Sequence, residues 1–70
     1  YREEIMYMLF VSKYQMAVNS VEDKKVERYN NAREEYYYFA DEYPNSRYAA
    51  DVKKMYEDIE AYLENYKFED

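Results

Sequence analysis

Glycine is absent from all seventy residues, and proline occurs once, at Pro44. Tight hairpins need positive φ, which glycine supplies at least strain, so a multi-stranded sheet with short connections is disfavoured and an all-α fold is predicted. The chain is 49% hydrophobic and 21% aromatic, too rich in large apolar groups for a disordered segment. At this length, burial barely exceeds the entropy of ordering the chain, roughly 1.5 kcal/mol per residue. With no Cys and no His, neither a disulfide nor a structural zinc site can add to it. Help from a neighbouring segment is therefore expected.

Apolar periodicity divides residues 1–70 into one unit of three helices, at about 2–19, 21–43 and 47–66, with residues 67–70 fraying. The first helix carries two stripes. Ile5, Met8, Leu9, Ser12 and Met16 follow one face, and Met6, Tyr7, Phe10, Tyr14 and Ala17 follow the opposite one. A helix apolar on two sides wants two neighbours. Ser20, with Asp23 three residues on, reads as the N-cap of the second helix, whose core set is Tyr29, Ala32, Tyr36, Phe39, Ala40 and Tyr43. Pro44 ends that helix at Tyr43, and Ser46 is placed to cap the third. The third presents Tyr48, Val52, Met55, Tyr56, Ile59, Leu63 and Tyr66 inward, with Lys53/Glu57 and Lys54/Asp58 as outer i,i+4 pairs. Helices of such length with such short links form an antiparallel three-helix stack.

Ala32, Tyr36 and Pro44 keep the offsets of small residue, aromatic and proline found along the second helix of a tetratricopeptide repeat. Tyr43-Pro44-Asn45-Ser46 matches the aromatic-Pro-x-Ser corner that joins two repeats in periplasmic repeat proteins. With the preceding stretch from Tyr14 to Tyr29, about Phe10 to Leu63 resembles the C-terminal part of the BamD family. That resemblance implies a tetratricopeptide-like α-solenoid fragment on the periplasmic side of the outer membrane. It further implies a lipid-bearing Cys and earlier repeats upstream of Tyr1, and, as partners, other subunits of the outer-membrane β-barrel assembly machinery. The opening at Tyr1, with no initiator Met and no signal sequence, fits an interior or C-terminal fragment of a longer repeat protein. Val21 to Arg28 departs from the family as an insertion-like stretch, and the usual glycine of the first repeat helix is absent.

The formal charge of −6 repels nucleic acid and anionic lipid surfaces, and the seven-residue run Ile5 to Val11 is far too short to span a bilayer. Without His or Cys there is no ordinary neutral-pH base, thiolate or soft metal ligand, and Ser12, Ser20 and Ser46 lack a group to activate them. Glu34, Glu35, Asp41 and Glu42 read as a solvated acidic face. No catalytic, cofactor or metal residue is assigned; the chain is read as a non-catalytic protein-binding scaffold. Its candidate interface, toward upstream repeats or a partner, is Met6, Tyr7, Phe10 and Tyr14, joined by Tyr38, which lies some 150° from the core stripe of the second helix. Two alternatives stand beside this reading: a self-associating bundle dimerising through the first helix, and another periplasmic repeat protein such as a Tol-Pal coordinator.

Overall fold

The computed structural model describes residues 2–67. Three α-helices run antiparallel in sequence, α1 (Arg2–Val18), α2 (Glu22–Glu42) and α3 (Ala49–Lys67), forming a body of 39 × 18 × 15 Å. The expected fraying of residues 68–70, Phe68 included, lies outside the described residues; Lys67 still belongs to α3. Val21 to Arg28 is no loop insertion, because all but Val21 forms the opening of α2.

One core joins all three helices. Phe10 and Ala17 enter it from α1, Tyr29, Ala32 and Phe39 from α2, and Val52, Ile59 and Leu63 from α3. Small residues at Ala17 and Ala32 let the backbones approach while the larger side chains interlock. Around this core lie parallel ring stacks between elements: Tyr7 on Tyr48 at 4.2 Å, Tyr36 on Tyr56 at 4.0 Å and Tyr29 on Tyr62 at 4.4 Å between centroids. The rings bury apolar area, and two of the hydroxyls reach carboxylates, Tyr48 to Glu4 and Tyr62 to Glu22.

The two links differ from the simple capping scheme. Ser20 does not cap α2. Its Oγ donates to the Met16 carbonyl at 2.5 Å, its N–H donates to Ala17 O at 3.2 Å, and Val21 occupies the N-cap position with no side-chain bond. Only three residues separate α1 from α2, and the unsatisfied last carbonyls of α1 claim Ser20 first. Acidic Glu22 and Asp23 then favour the start of α2 through its dipole. At the other link, Tyr43 N–H closes onto Phe39 O at 2.8 Å. Ser46 Oγ accepts from Tyr48 N–H at 3.0 Å and itself donates to Glu3. Ser46 thus caps a turn that precedes α3, which begins two residues later than expected, at Ala49.

This contrast gives a measurable difference. Ser46→Ala is expected to lower stability by about 1 kcal/mol, since it removes both a cap and a tie to α1. Ser20→Ala should lower it by less, because back-bonding of this kind contributes little to a helix. Urea midpoints of the two variants decide the order, and equal shifts would contradict it.

Candidate interaction surface

The two stripes of α1 meet different fates. Phe10 and Ala17 are completely buried, and Met6, Tyr7, Val11 and Tyr14 pack around them. The other stripe faces solvent: Ile5 is 56% exposed, Met8 65%, Leu9 47% and Met16 54%, with Ser12 exposed among them. The expectation that Met6, Tyr7, Phe10 and Tyr14 form an outward interface is therefore corrected, since they are the inward face. Aromatic complementarity decides the matter: Phe10 meets Tyr36 at 6.2 Å between centroids, and Tyr7 stacks on Tyr48. Periodicity alone treats the two stripes as equivalent.

The repeat-signature residues differ in burial. Ala32 is fully buried, Tyr36 and Tyr43 are half-buried, and exposed Pro44 opens the corner that Ser46 closes. Tyr38 projects from α2 with 64% of its surface exposed. Glu34, Asp41 and Glu42 are exposed, as expected. Glu35 is not: it is half-buried and receives Lys13 Nζ at 2.8 Å, tying α2 to α1. Tyr66 is exposed rather than inward, and Tyr62 packs in its place. Neither Lys53/Glu57 nor Lys54/Asp58 forms an ion pair. Among the described residues the pairs instead cross between elements, at Lys13–Glu35, Arg33–Glu60 and Arg47–Glu4.

Phenol–carboxylate bonds fasten the outer edges. Tyr14 donates to Asp58 at 2.6 Å, Tyr62 to Glu22 at 2.9 Å and Tyr48 to Glu4 at 3.2 Å. Lost hydration, then the hydrogen bond to Asp58 and its charge, pushes the Tyr14 phenol up to about 12. Lost hydration and Glu22 do the same to Tyr62, also about 12. The phenol of Tyr56 is raised by the Tyr37 hydroxyl, then by burial and Glu60, and Tyr29 is raised by burial and then Asp58. A raised acid group stabilises the fold while both states are protonated. The unfolded phenols, with pKa near 10, ionise first, and that stability drains away as pH climbs from there to about 12. Alkaline titration is therefore expected to leave the helical circular-dichroism signal intact up to about pH 10 and to lose it in step with phenolate absorbance above that. Phenolate appearing fully before any loss of helix would show that these bonds do not hold the fold.

Among the described residues no group of three or more acidic side chains that could hold a metal ion occurs, and no helix is long and apolar enough to cross a membrane. What the surface offers instead is a helix face. Three antiparallel helices with a small-residue and aromatic interlock, a proline corner and one uncovered apolar face define a tetratricopeptide-like repeat unit. Comparison with known families agrees with that class: the model of the YfiO family, described as outer membrane lipoprotein, matches residues 1–69. The chain belongs to this BamD-like outer membrane lipoprotein family. No curated protein and no solved structure matches it.

Proposed function

We propose that the chain is a non-catalytic scaffold unit that holds protein partners on the periplasmic side of the outer membrane, as the closing part of a longer repeat stack whose lipid anchor lies upstream. The observation that carries this reading is a helix, α1, built into the core on one side and left apolar on the other. Solenoid repeats bury such faces against the next repeat, and a terminal repeat turns a polar face outward. The polar outer side of α3, with Lys53, Lys54, Glu57 and Glu64 exposed, has the second character, and α1 has the first. Family membership supports the setting. The partners implied are other subunits of the β-barrel assembly machinery. A chain without His or Cys performs this role by shape and charge alone. Self-association through α1 is the second reading, favoured by the same exposed stripe.

Tyr38 is the residue of α2 best suited to a partner, being a large amphipathic ring held on a rigid helix and committed to no neighbour in the core. Binding of the chain to the purified barrel-forming subunit of the machinery tests the proposal by calorimetry. Saturable binding is expected, weakened about tenfold by Tyr38→Ala with no change in melting temperature. Absence of any binding to that subunit removes the scaffold assignment, and binding indifferent to Tyr38→Ala moves the contact elsewhere.

A further inference from the structure

The uncovered face of α1 has a charged border. Beside Met16, a groove of about 180 Å³ is lined by Met16, Lys13, Arg28 and Asn31. Lys13 is committed to Glu35, but among the described residues the half-buried Arg28 reaches only a neutral partner, Ser20 Oγ at 3.1 Å. In a chain with sixteen carboxylates and ten basic residues, a half-buried arginine without one is an unmet demand. It stands where the stripe Ile5, Leu9, Ser12 and Met16 ends. That stripe has the 4-3-4 spacing with which one helix packs along another.

We infer that this face receives an amphipathic helix bearing an apolar stripe and, along one edge, carboxylates that meet Arg28 and the exposed side of Lys13. The inference rests on the stack reading above and adds the chemistry of the neighbour. A second copy of the chain fits less well, because the acidic side chains of α1 are engaged already, Glu3 with Ser46 and Glu4 with Arg47 and Tyr48. A one-helix face of this kind is suited to a helix held close by the same chain, where effective concentration adds to the contact.

The test extends the full chain at its N terminus, through a flexible linker, with a designed helix of fixed apolar stripe whose edge is either glutamate or lysine. Residue-resolved peroxide oxidation of Met8 and Met16, read by mass spectrometry, reports coverage of the face. The glutamate-edged helix is expected to slow Met16 oxidation about tenfold more than the lysine-edged one, and raised salt should shrink the difference. Arg28→Met, which keeps the stem and removes the charge, should equalise the two. Equal protection by both helices in the unaltered chain overturns the carboxylate edge and leaves the stack reading standing. Protection by neither, with the chain sedimenting as a dimer, assigns the face to a second copy and overturns the inference. Protection by neither in a monomer overturns the inference together with the reading of α1 as a repeat-to-repeat face.

Discussion

Phe10→Ala is expected to lower stability by several kcal/mol and shift the urea midpoint far down, whereas Met8→Ala, two residues earlier on the same helix, leaves stability within about 0.5 kcal/mol. Phe10 is completely buried, and its ring touches the aromatic cluster of α1 and α2 at Tyr14 and Tyr36. Truncating a buried Phe costs about 3–5 kcal/mol, part lost transfer energy and part the cavity left behind. A domain of this length holds only about 4–10 kcal/mol in total. Met8 loses little, because 65% of it is already in water. Urea denaturation of both variants therefore reads out which face of α1 is inside. Comparable midpoints for the two would reverse the orientation described above, and with it the identity of the open face.

Much of the fold was legible because local signals agree. Absence of glycine, the break at Pro44 and inward positions on α2 such as Tyr29, Ala32 and Phe39 each point to the same three antiparallel helices. The orientation of α1 was not legible from spacing, since a helix with two stripes satisfies the same periodicity twice. Only the partner rings Tyr36 and Tyr48, distant in sequence, break the tie. Ser20 escaped for a related reason. A serine between two helices can serve the end of one or the start of the other, and only the length of the link decides. Long-range polar ties such as Lys13–Glu35 and Tyr14–Asp58 also depend on the register between helices, which no local pattern encodes. The candidate surface consequently moved from one side of α1 to the other, while Tyr38 stayed where helical geometry placed it.

Ala32→Leu is expected to lower stability by about 1–3 kcal/mol, although it adds apolar surface to a core and improves neither charge nor helix propensity. Ala32 is fully buried on α2, one turn before Tyr36 and two before Phe39, in the row that faces the rest of the core. The antiparallel register of α1 on α2 is pinned nearby by Phe10 against Tyr36 and by Lys13 against Glu35. An isopropyl group inserted there must push the helices apart or leave its preferred rotamer, because an interior at crystal-like density has no spare room. Separation also lengthens the Lys13–Glu35 contact, so two unfavourable terms coincide. Ala61→Leu supplies the comparison: the same chemical change on the exposed side of α3 should shift stability by no more than about 0.5 kcal/mol. Equal midpoints for the two leucine variants would mean that α1 and α2 are not held at the close spacing a small residue permits. The repeat interlock would then be a likeness of sequence without its packing, whereas a loss confined to Ala32→Leu ties the small residue of the signature directly to the approach of the helices.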